Sequence, residues 1–380
     1  MIHFRTGSQV HMLVSLLSVV GEYPMCSLHL LGNERVLKVL IHKLTTSQTI
    51  RNFVTGEEIT VRTLTVTGKA ASKTIRLYKA ALPILDWIGA RESYMSSFQN
   101  HRFPGDAAHR ERNHRVAEVV AMCMRAGIAF KPYEIPALQN RTICRVIPKQ
   151  FTLYLAKDLK RIGETEMNKT MFTRMVGALF SEDRCYAVYN TRSSVMKWSG
   201  MGEFKTLYSL MEISRLNSDV TRVDTAILFG ESDSIALNTL LESDKSRRSE
   251  FRFDSIYRHV YYIPLSEAGI RQLAIMKLPN WNEALLDLLF EPDTRSYNKG
   301  RFEYDAFIDG VYVLSHLDGD IARLIRFRDA IQNQQGHFEV LCYPHQVRFL
   351  REYLDPCVSI KEIDINSVET ELGQEMEDAF

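Results

Sequence analysis

The sequence contains no cysteine pair spaced as CxxC and no apolar run long enough to cross a membrane. Its six cysteines are scattered along 380 residues, which argues against a structural zinc site and against a disulfide framework. The longest apolar stretches, residues 12–20 and 80–88, fall well short of the roughly 18 residues that a membrane span needs. Because the N-terminus also lacks a signal-peptide pattern, we expect a cytoplasmic protein without a membrane partner.

Several catalytic motifs are missing as well. The chain has no Walker loop, no GxGxxG after a predicted strand and no HExxH helix. Nucleotide hydrolysis, dinucleotide binding and zincin chemistry therefore have no motif support. What is present is an ordinary globular composition, with 45% hydrophobic and 24% charged residues, and a length that favours two or three domains.

Charge of both signs is present in nearly equal amount, but it is unevenly distributed. The formal net charge is +1, although residues 1–80 hold ten Lys or Arg and four Glu, whereas residues 361–380 hold one Lys and seven acids. A basic beginning is expected of a segment that binds a polyanion. A soluble face at each end is the alternative. We expect residues 366–380 to form a disordered acidic tail.

The order of predicted elements in residues 1–90 is typical of a winged helix-turn-helix domain. Apolar spacing predicts helices over residues 10–20, 24–31 and 34–44. Residues 49–54 and 59–66 are rich in β-branched side chains and predict a hairpin, the wing, followed by a closing helix over residues 69–79. In such a domain the third helix enters the major groove of DNA and the wing lies near the phosphates.

Long cationic side chains occur where this fold would present them to phosphates. They predict double-stranded DNA as the partner. A winged helix that binds another protein, or one that is purely structural, is the alternative. The candidate DNA-binding residues are Arg35, Lys38, His42, Lys43, Arg51, Arg62, Lys69 and Lys73.

Residues 105–220 predict a helix, a hairpin of strands 174–180 and 185–191, and a second helix that begins near Glu203. This is the start of a restriction-endonuclease-like α/β core, whose chemistry needs carboxylates that hold a divalent metal. In an enzyme of this kind the cofactor would be Mg²⁺ or Mn²⁺. Because the central strand 186–190 carries no acid, we expect a degenerate core without a metal cofactor. The candidate catalytic residues, in case the core is active, are Glu118, Asp183, Glu203 and Lys205.

Three parts of the sequence resemble the replication-relaxation proteins of bacterial plasmids and conjugative elements, which are related to the MobC-type relaxases. They are the stretch LTVTGK at residues 64–69, HRVAE at 114–118, and the pair GAL at 177–179 and VYN at 188–190. The resemblance covers about residues 9–215. It implies a winged helix joined to an endonuclease-like domain that acts on mobile-element DNA.

The sequence departs from that family at the positions of its acids. Family members carry Pro-Asp on the first hairpin strand and an acid on the second. This chain has Thr173-Arg174 and Tyr189-Asn190 instead. The resemblance therefore implies DNA binding more strongly than DNA cleavage.

Residues 221–365 alternate between predicted strands and helices, which indicates a further α/β layer with a mainly parallel sheet. Strands are expected near residues 225–229, 259–265, 312–315, 339–343 and 358–365, with helices at 234–241, 267–277, 321–332 and 345–354 between them. Asp318 and Asp320 follow one of these strands. We interpret them as capping acids of the helix that begins near Ile321, rather than as part of a Toprim-like metal site.

The expected fold class is therefore α/β (α+β overall), with a winged helix, a nuclease-like core and a C-terminal α/β layer. The leading hypothesis is a DNA-binding protein of a mobile genetic element, such as a plasmid replication or relaxosome factor. Other relaxosome or replication proteins and a second copy of the chain are further expected partners. The alternatives are a metal-dependent DNA-nicking enzyme and a winged-helix transcription regulator.

Overall fold

The computed structural model describes residues 1–98, 101, 103, 106–130, 151–160, 174–181, 183–196, 201–216, 220, 222–245, 252–296, 302–332 and 334–378. Thr173, named above, lies outside these residues. The chain is a mixture of helices and strands, so the α/β class is confirmed. It divides into two compact units. Among the described residues, unit 1 comprises residues 1–125 and Phe130, and unit 2 comprises Ala126–Ala129 and the residues from 151 onward.

Unit 1 combines short strands with helices. Their order is β1 (Ile2–Phe4), α1 (Gln9–Val20), β2 (Glu22–Pro24), a 3-10 helix (Met25–Leu31), α2 (Glu34–Leu44), β3 (Gln48–Asn52), β4 (Glu58–Val61), β5 (Leu64–Thr67), a 3-10 turn (Ala70–Ser72), β6 (Thr74–Leu77), a 3-10 helix (Lys79–Ile88), α3 (Arg91–Ser97) and α4 (Ala107–Arg125).

The strands of unit 1 form two three-stranded sheets. In the first, β1 runs parallel to β3 and β3 pairs antiparallel with β4. The second has the order β2-β6-β5 and is antiparallel throughout. Helix α1 supports both sheets from the core, because Leu13, Leu16 and Leu17 repeat at helical spacing and are fully buried.

Gly21 ends α1 in a conformation that requires glycine. Its φ is +72°, and a Cβ at this position would lie 2.6 Å from the rings of Phe98 and Phe103. Both the backbone angle and the lack of space therefore exclude a larger residue. The tight turn allows β2 to begin directly after the helix.

The predicted wing and the predicted closing helix are wrong in their details. Residues 49–66 form β3, β4 and then β5, and β5 belongs to a different sheet from the first two. Residues 74–77, expected to be helical, form β6, which pairs with both β5 and β2. The β-branched Thr74 and Ile75 are buried in this sheet, and the packing of branched side chains on a sheet outweighs the helical spacing of the segment.

Unit 2 contains two sheets with helices around them. Its elements are β7 (Ala129–Phe130), β8 (Thr152–Leu155), α5 (Ala156–Leu159), β9 (Met175–Phe180), β10 (Arg184–Arg192), α6 (Met201–Leu216), β11 (Arg222–Gly230), α7 (Asp233–Asp244), α8 (Phe253–Ile256), β12 (His259–Pro264), α9 (Glu267–Met276), α10 (Trp281–Leu289), β13 (Ala306–Ile308), β14 (Val311–Ser315), α11 (Ile321–Ile331), β15 (His337–Cys342), a 3-10 turn (Pro344–Gln346), α12 (Val347–Tyr353), β16 (Val358–Glu362) and α13 (Ile365–Asp378).

The larger sheet has the order β12-β11-β10-β9-β8-β7. Strands β8, β9 and β10 are antiparallel neighbours, and β10, β11 and β12 run parallel. The predicted domain boundary at residue 220 falls between β10 and β11, which pair directly. The smaller sheet has the order β13-β14-β15-β16 and is parallel except for β13. One hydrophobic core contains side chains from both sheets.

The hairpin and the C-terminal strands and helices predicted from the sequence are confirmed within a few residues at each end. Strand β13 was not predicted, because it has only three residues and exposes Phe307. Within the described part of the chain, none of the helices combines the length and the apolarity that crossing a bilayer requires.

The acidic C-terminal segment is helical, so the prediction that residues from 366 onward are disordered is wrong. Helix α13 buries Val368 and Leu372, and Arg271 of α9 donates a hydrogen bond of 2.8 Å to Glu369. The spacing of Ile365, Val368 and Leu372 is that of one helical face. Glu371 is exposed on another face of the helix, and the acidic composition of the segment alone suggested disorder.

Candidate nucleic-acid interface

Helix α2 carries the largest group of predicted DNA-binding residues on its outward face. Asn33 caps the helix by accepting a hydrogen bond from the backbone N–H of Val36 at 3.2 Å. The inward side chains of Leu37, Ile41 and Leu44 are fully buried. The exposed residues of the helix are Arg35, Val36, Lys38, Val39, His42 and Lys43.

Four of these six side chains are candidate DNA contacts from the sequence, and the structure brings them to one exposed surface. Lys38 forms a surface ion pair with Glu34 at 2.5 Å, an interaction that stabilises a helix only slightly. The ion pair leaves Lys38 accessible at the side of α2. Val36 and Val39 are among the apolar residues whose spacing predicts this helix, but their exposed fractions are 48% and 55%. The apolar residues of this segment cover more of the helix circumference than one buried face can hold. This width is the feature of the sequence that indicates that some of them are exposed.

The tip of the β5–β6 hairpin presents two further predicted contacts. Lys69 and Lys73 flank the turn and are exposed. Gly68 has a φ of +85°, and a Cβ there would lie 2.2 Å from the carbonyl oxygen of Ser72, so the turn closes only with glycine. The backbone N–H of Met25 donates to the carbonyl of Lys73 at 2.9 Å, which anchors the hairpin beside the segment that leads to α2.

Arg51 lies on β3, and Arg62 directly follows the end of β4. Arg51 is exposed and lies 3.7 Å from the carboxylate of Glu58. Arg62 stacks on the ring of Tyr78 at 4.8 Å and donates a hydrogen bond of 3.0 Å to the carbonyl of Leu64. These interactions hold Arg62 against the protein, so its guanidinium is less available than the lysines of the hairpin tip.

Two basic residues near the start of α4, Arg110 and His114, bind a carboxylate in the interior of unit 1. Glu22 of β2 is almost fully buried. Its carboxylate accepts hydrogen bonds from Arg76 Nε at 2.6 Å, His114 Nε2 at 2.7 Å and Arg110 Nε at 3.4 Å. Burial alone would raise the pKa of Glu22, but the bonds from His114 and Arg76 and the charges of Arg76 and Arg110 lower the pKa to about 2. No local sequence pattern indicates this network.

Glu118, a candidate catalytic residue, belongs to the same unit. It lies on α4, is buried, and accepts a hydrogen bond of 2.6 Å from the hydroxyl of Ser27. The backbone carbonyl of Ser27 in turn accepts the hydroxyl of Tyr23 at 2.7 Å. Glu118 is thus hydrogen-bonded to the segment between β2 and α2.

The other candidate catalytic residues are distributed along the β9–β10 hairpin of unit 2. Glu203 is buried in the first turn of α6, 3.4 Å from the guanidinium of Arg174, which immediately precedes β9. Asp183 lies in the turn after β9, 3.4 Å from Arg184. The six residues of β9 span about 20 Å, so Asp183 and Glu203 lie at opposite ends of the hairpin. Lys205 is exposed on α6.

Tyr189 and Asn190 of β10 are neutral residues whose side chains form hydrogen bonds within unit 2. The hydroxyl of Tyr189 hydrogen-bonds that of Tyr257 at 2.8 Å. The side-chain oxygen of Asn190 accepts the backbone N–H of Arg192 at 2.9 Å. Among the described residues, no group of three His, Cys, Asp or Glu side chains is arranged to hold a metal ion.

Asp183 instead lines a cavity of about 450 Å³ in unit 2. The cavity lies between the β9–β10 turn and the connection from α9 to α10. Its charged lining residues are Asp183, Arg184 and Lys277, and Tyr186 and Trp281 form part of its wall. Among the described lining residues, two are cations and one is an acid. No sequence pattern indicates this cavity.

Asp320 caps α11, as predicted. Its Oδ1 accepts the backbone N–H groups of Ala322 and Arg323, both at 3.1 Å, and Asp318 accepts the N–H of Asp320 at 2.9 Å. Burial would raise the pKa of Asp320, but the charge and hydrogen bond of His259 hold that pKa below its ordinary value. Asp318 thus binds the protein's own backbone, and Asp320 binds both the backbone and His259.

Comparison with known proteins yields no match to a family model, to a curated protein or to a solved structure. The similarity to replication-relaxation proteins therefore rests on the three sequence segments quoted above.

Proposed function

We propose that unit 1 is a winged-helix module that binds double-stranded DNA. The observation that carries the proposal is the outward face of α2, where Arg35, Lys38, His42 and Lys43 are exposed together above a fully apolar inner face. Phosphates are bound by long cationic side chains, and an amphipathic helix of this kind fits the major groove.

The topology of unit 1 supports this fold assignment. A helix, a short strand, a second helical segment and α2 are followed by a hairpin, and the short strand β2 pairs with the returning strand of that hairpin in the order β2-β6-β5. In this assignment the wing is the β5–β6 hairpin, with Lys69 and Lys73 at its tip. The β3–β4 hairpin is then an insertion that pairs with β1.

For unit 2 we propose a core of the restriction-endonuclease type that no longer carries its acids. The order β8-β9-β10 as an antiparallel meander, a crossover through α6 and a return as β11 parallel to β10 agrees with such a core. This topology and the resemblance described above support the proposal that the chain is a DNA-binding protein of a mobile element. A transcription regulator would use the same interface.

The test of DNA binding is the triple substitution Arg35→Ala, Lys38→Ala, Lys43→Ala in the full chain. We expect affinity for duplex DNA to fall strongly, and the slope of log affinity against log salt concentration to become shallower by about three, because each lost phosphate contact contributes about 0.9. The melting temperature should change little, since all three side chains are exposed. Fluorescence anisotropy at several salt concentrations measures both quantities.

The matched control replaces three exposed cations of unit 2, Lys245, Arg348 and Lys361, and removes the same charge. We expect this variant to keep most of the affinity. Equal losses in both variants would mean that net charge, not α2, attracts DNA. A nicking enzyme would be revealed by cleavage of supercoiled plasmid in Mg²⁺ or Mn²⁺ that disappears with Glu203→Ala.

A further inference from the structure

The centre of the outward face of α2 is a valine. At about 100° per residue, Val39 lies about 40° around the helix from Arg35 on one side and about 40° from Lys43 on the other. Its exposed fraction is 55%, and that of Val36 in the preceding turn is 48%. A cationic face therefore has one apolar side chain, Val39, in its middle and a second, Val36, at its edge.

Folding of unit 1 does not account for these two valines. The inner face of α2 is supplied by Leu37, Ile41 and Leu44, which are fully buried. An exposed valine contributes little burial, and its branched Cβ makes it a weaker helix former than lysine, glutamate or alanine. The arrangement suits a ligand that is anionic at its edges and presents an apolar group between them.

The major groove of duplex DNA has this pattern. Phosphates line both edges, and the 5-methyl group of thymine is the apolar group exposed in the groove. In a helix that lies in the groove, residues of the N-terminal half contact the base edges. Val36 and Val39 occupy that half of α2, whereas His42 and Lys43 lie in its last turn.

We propose that Val39, together with Val36, contacts thymine 5-methyl groups, so that unit 1 prefers sites with thymine at defined positions. The inference rests on the proposed function, because it requires α2 to enter the major groove. It goes further by assigning base discrimination to two apolar side chains and by naming the chemical group that they recognise.

The experiment uses the full chain and a tight-binding duplex obtained by in vitro selection. Each thymine of that duplex is replaced in turn by deoxyuridine, which removes the 5-methyl group and keeps the base pairing. At one or two positions we expect affinity to fall about fourfold per methyl group, the effect of removing one buried methyl-sized group from an apolar contact. The other positions should show no change.

Two variants identify the side chain responsible. With Val39→Ala, thymine and deoxyuridine duplexes should bind equally at one of the sensitive positions. The control is Val54→Ala, which truncates a valine that is 84% exposed on the β3–β4 turn and should preserve the discrimination. Both substituted side chains are exposed, so neither variant is expected to unfold the chain.

The outcomes separate this inference from the proposed function. If affinity is salt-dependent and sensitive to Arg35 but never distinguishes thymine from deoxyuridine, DNA binding holds and the methyl contact is wrong. If no duplex binds, both fail together. If Val39→Ala leaves the discrimination intact but weakens self-association in sedimentation experiments, the valines form a surface between copies of the chain, and the inference is overturned.

Discussion

Glu22 places a carboxylate in the interior of unit 1, where three side chains from two other elements surround it. Arg76 comes from β6, and Arg110 and His114 come from α4. A buried carboxylate without such partners would be strongly destabilising. With them, Glu22 ties α4 to the β2-β6-β5 sheet that also carries the hairpin tip.

We expect Glu22→Gln to destabilise unit 1 by about 3 kcal/mol, because the amide loses the ionic hydrogen bonds and leaves Arg76 without its buried counter-charge. The loss should appear as reduced hydrogen-exchange protection of β2, β6 and α4. Glu92→Gln, on the exposed surface of α3, is the control and should leave exchange unchanged. Equal protection in the two variants would mean that the network does not stabilise the fold.

The same network predicts acid sensitivity. The pKa of Glu22 is lowered from 4.5 to about 2 in the folded protein, so its stabilising contribution is fully present above the unfolded pKa. It is lost as pH falls from about 4.5 toward 2, because protonation then favours the unfolded state. Denaturation curves of the wild type should show this decline, and those of Glu22→Gln should show it much less.

Among the elements, the β5–β6 hairpin connects the fold to the proposed interface most directly. Gly68 closes its turn, and Lys69 and Lys73 flank the tip without a supporting role in the core. Because the hairpin is anchored by the bond from Met25 to the carbonyl of Lys73, its tip is held in position rather than free to follow a ligand.

Replacing Lys69 and Lys73 by alanine should weaken DNA binding by a similar factor for every sequence, since phosphate contacts carry no base preference. We expect the salt slope to become shallower by about two. Anisotropy titrations with two unrelated duplexes would measure both effects. The double variant Lys245→Ala, Lys361→Ala should leave the slope unchanged. A change in sequence preference would instead place the hairpin tip in a groove.

Helix α13 should be required for the stability of unit 2. Leu372 is buried on its inner face, and truncation of a buried leucine to alanine typically costs 2–5 kcal/mol. We therefore expect Leu372→Ala to lower the melting temperature of unit 2, whereas Glu371→Ala on the exposed side should not. Thermal unfolding followed by circular dichroism makes the comparison. An unchanged melting temperature would indicate that the packing of α13 does not stabilise unit 2.

Sequence periodicity predicted most elements of unit 2, because long buried strands and amphipathic helices leave clear patterns. Periodicity did not predict β6 of unit 1 or α13 of unit 2, and the reasons are opposite. In β6, helical spacing was present, but packing in the sheet decided the structure. In α13, acidic composition concealed a single apolar face. The pairing of β5 with β6 depends on contacts between elements, which no local pattern specifies.

The candidate site was predictable in its charges and not in its geometry. The positions of Arg35, Lys38 and Lys43 on one helix follow from spacing alone. The exposure of Val39 depends on which face of α2 the core covers. The separation of Asp183 from Glu203 depends on the length of β9, and the partners of Glu22 come from distant parts of the chain.

At the scale of the whole molecule, the described chain consists of two units with separate sheets. All strand pairs described for residues 1–125 join strands within that range, and its length is that of a typical domain. The hypothesis that unit 1 is a winged helix and the hypothesis that unit 2 is nuclease-like can therefore be tested separately.

We expect a fragment of residues 1–125 to unfold in a single cooperative transition and to bind duplex DNA with the salt slope of the full chain, because the proposed contacts lie within it. Circular dichroism and anisotropy test the two statements. The fragment carrying Arg35→Ala, Lys38→Ala and Lys43→Ala is the matched control. If the fragment folds but does not bind DNA, the DNA-binding site must lie in unit 2.

The two buried carboxylates of unit 1 also bear on how fast the chain folds and unfolds. The bonds from Ser27 to Glu118 and from His114 to Glu22 join residues 91 and 92 positions apart. Because closing loops of that length is entropically costly, we expect these contacts to form after the sheets and α2 have assembled. Interactions made after the transition state mainly slow unfolding. The packing of α4 should thus slow unfolding at neutral pH. Protonation of Glu22 in acid should speed unfolding while leaving the folding rate nearly unchanged.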